Sequence, residues 1–154
     1  MDHLRELYQQ LILDHNQNPR NFREMDEFDF FKKGHNPLCG DQLDVYVKVE
    51  NNLIKDISFI GTGCAISKAS ASIMTDLIKG KNEHEAKEIV EDFLGMIKEN
   101  PKLKSENLEE DEKTKLMCLS GVKQYPMRVK CATLSWHTLV SAFDDKKEEV
   151  KTEN

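Results

Sequence analysis

Apolar positions recur along this chain in two rhythms, and the switches between them outline its elements. Leu4, Leu7, Tyr8, Leu11 and Ile12 fall at helical spacing behind Asp2 as an N-cap. That helix is predicted to fail near Asn18-Pro19, because a residue before proline is pushed out of the α region. Residues 20–38 show neither rhythm and read as irregular, broken by Gly34 and Pro37. Leu43, Val45, Val47 and Val49 then alternate with Asp44, Tyr46, Lys48 and Glu50, the period of a half-buried strand. Asn51-Asn52 fits a tight turn, and Ile54 to Ile60 returns as the second strand of a hairpin, with Asp56 and Ser58 on its polar face.

After Gly63 the helical rhythm takes over. Ala65, Ile66, Ala69, Ile73, Met74, Leu77 and Ile78 form one stripe that Gly80 stops, and small residues between Ala65 and Ser72 allow close packing on a sheet. Asn82 with Glu85 has the form of a capping box ahead of Ala86, Ile89, Val90, Phe93, Leu94 and Ile97, and Asn100-Pro101 ends that helix. Ser105 to Leu119 is acidic and helical in part, closing at Gly121, and a final helix is predicted from about Cys131 through Phe143. One helix, then strands, then helices predicts an α+β domain, a small antiparallel sheet with helices packed on one face. The expected division is a domain over 1–143 followed by a charged, mobile tail over 144–154.

Composition narrows the function. At 154 residues one core suffices, and a net charge of −6 argues against nucleic acid or an anionic membrane as a partner. No stretch approaches the roughly 20 apolar residues of a membrane span, and Met1-Asp2-His3-Leu4-Arg5-Glu6 has no apolar signal core behind it. The four cysteines therefore read as thiols or metal ligands in a reducing cytoplasm.

Three of those cysteines sit where a loop meets regular structure. Cys39 precedes Gly40-Asp41 at a strand start, Cys64 follows Gly61-Thr62-Gly63 at a helix start, and Cys131 follows Arg128-Val129-Lys130 at the predicted start of the last helix. Thiolates at such places are exposed enough to bind metal or react, and a helix N-terminus favours the charged form. Cys39 and Asp41 flank a glycine, so a sharp bend can turn both side chains to one metal. Three thiolates and a carboxylate on a divalent ion leave negative charge, for which Arg128, Lys130 and Lys68 are the basic neighbours by position. No local CxxC pair is present, and buried cysteines also serve as small core hydrophobes. Cys118, among Leu116, Met117 and Leu119, is read as such a core thiol. His3, His15 and His84 are read as solvated, His137 as facing away from Cys131, and His35 as a neighbour of the Cys39 loop. Esterase elbows, phosphate-binding glycine loops and HExxH helices are missing.

Asn36 to Asp41, Gly61 to Ser72 and Arg128 to Trp136, with Asp14-His15 and Asn18 to Asn21, resemble the IscU/NifU-N family of iron–sulfur cluster assembly proteins over nearly the whole chain to Phe143. Within it the chain resembles the SufU branch. Scaffold members carry a histidine immediately before the third cysteine, where this chain has Lys130, and the stretch between Cys64 and Cys131 is longer here, around Lys79 to Glu112. The resemblance implies a SufE/NifU-like fold and zinc held by Cys39, Asp41, Cys64 and Cys131. It also implies a zinc-dependent sulfurtransferase role, in which Cys39 accepts persulfide sulfur from a SufS-type cysteine desulfurase and passes it to downstream iron–sulfur scaffold proteins. The alternatives are a scaffold that assembles a 2Fe–2S cluster on the same cysteines, with iron in place of zinc, and a structural zinc module without sulfur chemistry.

Overall fold

The computed structural model describes residues 2–98, 103–105, 108–144 and 150–151. The chain runs α1 (Asp2–Gln17), β1 (Phe30–Asn36), β2 (Asp41–Glu50), β3 (Leu53–Thr62), α2 (Ala65–Ile78), α3 (Glu83–Ile97), α4 (Glu110–Leu119), a 3-10 turn (Ser120–Gln124), α5 (Pro126–Phe143) and β4 (Val150–Lys151). Strand order is β3-β2-β1-β4; the first three pair antiparallel, and β4 lies parallel to β1. Helices α5 and α2 cover one face of the sheet, α1 packs on α2, and α3 packs on α5. The α+β class and the one-faced helix layer agree with the sequence reading.

The hairpin forms as its pattern requires. Leu43, Val45 and Val47 are buried against the helices, and Asn51 and Asn52 both take positive φ (54° and 65°), the backbone that twists a two-residue turn correctly. Cys64 is the N-cap of α2, its sulfur accepting from Ser67 N–H, and the Asn82–Glu85 capping box starts α3. Between them the helices bury Trp136, whose indole N–H donates to Ser70 Oγ at 2.9 Å and whose ring lies 4.5 Å from that of Phe93.

The structure corrects the sequence reading in several places. Residues 30–36, read as irregular, are a strand in full register with β2. Its inward positions are Lys32, Gly34 and Asn36, which present no aliphatic alternation. Gly34 is needed there because a Cβ would run into Thr138 Oγ1 of α5. Ser58 is buried rather than on a polar face, since its partner Tyr46 belongs to an outer cluster with Phe28 and Phe31. The last helix begins at Pro126, well before Cys131, because proline suits the first helical position. The acidic segment is helical only from Glu110, and its turn continues past Gly121. The predicted stop at Asn100-Pro101 lies outside the described residues. Most of the expected tail does too, although Val150–Lys151 pairs with Gly34 and His35.

His15 is not solvated. It is 2% exposed, with Nδ1 2.8 Å from Ser72 Oγ, and the same oxygen accepts Arg20 N–H. Burial lowers its pKa from 6.5 to about 4; Arg20 adds to that, while Asp14 and Asp76 oppose it. The unfolded chain therefore takes up the His15 proton first as pH falls. This contribution to stability is complete above about 6.5 and is lost toward pH 4, amounting to about 3 kcal/mol. Chemical denaturation followed from pH 7 to 4.5 is expected to show that loss, and His15→Gln is expected to flatten it.

Candidate metal centre

Three local structures carry the thiol site. The first is the connection between β1 and β2. Asn36 is fully buried and sits before Pro37, with its Oδ1 accepting Leu38 N–H and its backbone oxygen accepting the N–H groups of Cys39 (3.3 Å) and Gly40 (2.8 Å). Gly40 takes φ +74°, which closes the turn and returns the chain to Asp41. Cys39 is thereby lifted to an exposed tip, and Asp41, two residues on, is turned fully inward.

The second is the link from β3 to α2. Gly63 has φ +147°, and a Cβ there would strike Asp41 Oδ1. That carboxylate oxygen accepts Cys64 N–H at 2.9 Å, so Asp41 ties the helix start to the hairpin. Its second oxygen, Oδ2, is buried and without a hydrogen-bond partner among the described residues. The third is the second turn of α5, where Cys131 is 1% exposed and accepts from Asn36 Nδ2 at 3.8 Å.

The ligand atoms of Cys39, Asp41 and Cys131 lie within 4.8 Å of one another, and the Cys39 and Cys131 sulfurs are 3.4 Å apart. Two thiolates on one tetrahedral zinc stand about 3.8 Å apart, so the spacing is of the right order. Burial pushes the Cys131 thiol far up, with Asp41, Cys39 and Cys64 adding to the rise. Every cause of that rise works against the charged thiol; a divalent cation would reverse the balance and draw the thiols into their charged form. The buried, unpartnered Asp41 oxygen and the clustered sulfurs fit such an ion.

The candidate residues thus divide. Cys39, Asp41 and Cys131 are brought together, while Cys64 stands outside the tight group with its sulfur capping α2. Cys131 is buried inside α5 rather than exposed at a helix start, because α5 begins a turn and a half earlier. Lys68 Nζ lies 4.6 Å over the ring of Phe22; Arg128 is exposed and Lys130 half-buried. His35 is half-buried in β1 and absent from the ligand group, and His137 is exposed. Cys118 is a buried thiol raised by desolvation. Sequence reasoning missed Asn36, whose signal was the asparagine before a proline that favours a side-chain-capped turn. Leu38, beside Cys39, and Met127, one helical turn before Cys131, are 67% and 87% exposed.

Comparison with known proteins agrees with this architecture. Residues 7–132 match the model of the NifU-like N terminal domain. The chain is 39% identical over 139 residues to the iron–sulfur cluster assembly scaffold protein IscU of Thermotoga maritima, covering 89% of this chain and 92% of that one. It is also 39% identical over 133 residues to the zinc-dependent sulfurtransferase SufU of Bacillus subtilis, covering 86% of each. A crystal structure from Fervidobacterium islandicum, described as a candidate iron–sulfur cluster assembly scaffold protein for the SUF system, superposes with a TM-score of 0.75 at 32% identity. It covers 86% of this chain and 93% of that one.

Proposed function

The chain belongs to the family of NifU-like N-terminal domains, and from that premise we propose that it serves iron–sulfur cluster biogenesis as a zinc-dependent sulfur acceptor. The observation that carries the reading is the pairing of an exposed thiol, Cys39, with a buried Cys131 and Asp41 whose ligand atoms lie within 4.8 Å of it. One end of the site is anchored and the other is accessible, as an acceptor that must meet a partner requires. Cys39, Asp41, Cys64 and Cys131 would hold the zinc. When bound, the ion supplies positive charge that keeps the thiols deprotonated.

The chain's own residues do the rest. Pro37 and Gly40 bracket a short, exposed tip, so Cys39 can be presented without disturbing the sheet. Its thiolate attacks the outer sulfur of a persulfide on a SufS-type cysteine desulfurase. A new S–S bond forms to Cys39, the old one breaks, and the partner's cysteine leaves as a thiolate with no net oxidation. Arg128 and Lys130 offset the negative charge that arrives. Leu38, next to Cys39, and Met127, one helical turn before Cys131, are large apolar side chains left in water that supply contact area for the docking partner. Acceptance of the sulfur by downstream iron–sulfur scaffold proteins completes the role, and the setting that suits these free thiols is a reducing cytoplasm.

The intact mass of the protein after incubation with a SufS-type desulfurase and cysteine tests this. A gain of one sulfur atom is expected. A second reading, assembly of a 2Fe–2S cluster as substrate on the same residues, is favoured by the equal identity to the scaffold-named relative. Visible absorbance and acid-labile sulfide after anaerobic reconstitution, with no sulfur gained from the desulfurase, would select it instead.

A further inference from the structure

A cleft of about 450 Å³ lies between α1, the end of α3, the end of α4 and the turn that leads into α5, and none of Cys39, Asp41, Cys64 or Cys131 lines it. Its apolar wall is made by Leu4 and Tyr8 of α1, Met96 of α3, Met117 and Cys118 of α4, and Tyr125. The rings of Tyr8 and Tyr125 stack at 5.7 Å, and Gly121 lies close against Tyr8, where an added Cβ would come within 3.4 Å. Apolar and aromatic walls with a few polar groups, in a concavity of this size, are the build of a small-molecule site.

Two observations define what would fill it. Leu4, Met117 and Leu103 are 55%, 53% and 40% exposed, and all three line this cleft. Large apolar side chains scattered singly in water are ordinary, but gathered around one concavity they mark a surface that another molecule covers. The second observation is charge. The chain has 28 acidic residues against 22 Lys and Arg, yet the charged residues lining the cleft are Arg5 and Lys123, with no acid. Both are exposed, and neither makes an ion pair or hydrogen bond among the described residues. A guanidinium without a partner offers the fork of donors that fits a carboxylate.

We propose that this cleft binds a free medium-chain alkyl carboxylate, its chain against the wall of Tyr8, Met96, Met117 and Tyr125 and its head on Arg5 and Lys123. The net charge of −6 works against an anionic bilayer as the source, so the ligand arrives from solution. This site stands apart from the thiols and does not rest on the sulfur-acceptor reading.

The test is calorimetric titration of the purified protein with octanoate, decanoate and decylamine. Saturable binding at one site is expected, about fourfold tighter for each CH2 added and so about fifteenfold from octanoate to decanoate. Decylamine, with the same chain and the opposite charge, should bind at least tenfold more weakly than decanoate. Arg5→Glu with Lys123→Glu, both at exposed positions, should reverse that preference at an unchanged melting temperature. Met117→Ser, which trims an exposed part of the wall, should weaken decanoate about tenfold. Leu53→Ser, which removes an exposed apolar side chain outside the cleft, should leave it unchanged. Absence of saturable decanoate binding would overturn the proposal, and would leave the cleft as a docking groove if Met117→Ser then lost affinity for a partner protein. Equal affinity for decanoate and decylamine would overturn the carboxylate class. Equal weakening by Met117→Ser and Leu53→Ser, or by neither, would place the ligand elsewhere and overturn it as well. Should the double charge reversal fail to fold, the preference of the wild type for decanoate and the contrast of the two serine variants still decide.

Discussion

Cys39→Ala is expected to abolish sulfur acceptance while leaving the metal-free fold within about 0.5 kcal/mol of wild type, the range of substitutions at exposed positions. Cys39 is exposed at the hairpin tip, and the turn is held by Asn36 and Gly40 rather than by the thiol. Removing its sulfur deletes the nucleophile and one ligand without opening a cavity. Cys131→Ala makes the contrast, since that thiol is buried and its loss leaves a hole beside Asn36 Nδ2. Both variants should fail to gain sulfur from the desulfurase, but only Cys131→Ala should also melt lower without metal. The pair of measurements is intact mass after turnover and a denaturation curve in chelator. A Cys39→Ala protein that still gains one sulfur would move the acceptor to another thiol, with Cys64 next in exposure.

How far the site could be read beforehand depends on what each element buries. The β2–β3 hairpin was legible because Leu43, Val45 and Val47 bury one face, and Asn51-Asn52 supplies the positive φ that its turn demands. Helices α2 and α3 were legible because Cys64 and Asn82 stand as caps before clear stripes. Strand β1 was not. It is held by pairing to β2 and by close approach of α5 to Gly34, and neither leaves a local pattern in Phe30–Asn36. The start of α5 was not legible because Tyr125 makes no side-chain cap before it, and Pro126 alone carries the boundary. That earlier start puts Cys131 in the second turn of α5, where it is buried. The candidate ligands were legible as residues with distinctive neighbours. What holds them together was not, because Asn36 reaches Cys131, and Asp41 reaches Cys64, across long stretches of chain.

Substitutions at Asp41 separate its proposed role as a metal ligand from its role in the surrounding fold. Its Oδ1 accepts Cys64 N–H, and its Oδ2 is buried with no partner among the described residues. Asp41→Asn can keep the first contact through its amide oxygen, but it replaces the proposed ligating anion by a neutral group. Asp41→Ala loses both and leaves the Cys64 N–H without its acceptor, at a cost of about 1–3 kcal/mol. Zinc added to the stripped wild-type chain at about a thousandfold over its dissociation constant stabilises it by about 4 kcal/mol. For a chain of this length that is a rise of about 10 °C in melting temperature. Asp41→Asn is expected to start from a nearly unchanged metal-free melting temperature and to lose most of that rise, with zinc affinity down by more than the ~10–100-fold typical of an outer-shell change. Asp41→Ala is expected to start several degrees lower and to lose the rise as well. Melting curves of the three proteins with and without zinc decide the matter. If Asp41→Asn keeps the full rise, the carboxylate does not ligate the metal, and Asp41 serves only to tie α2 to the hairpin.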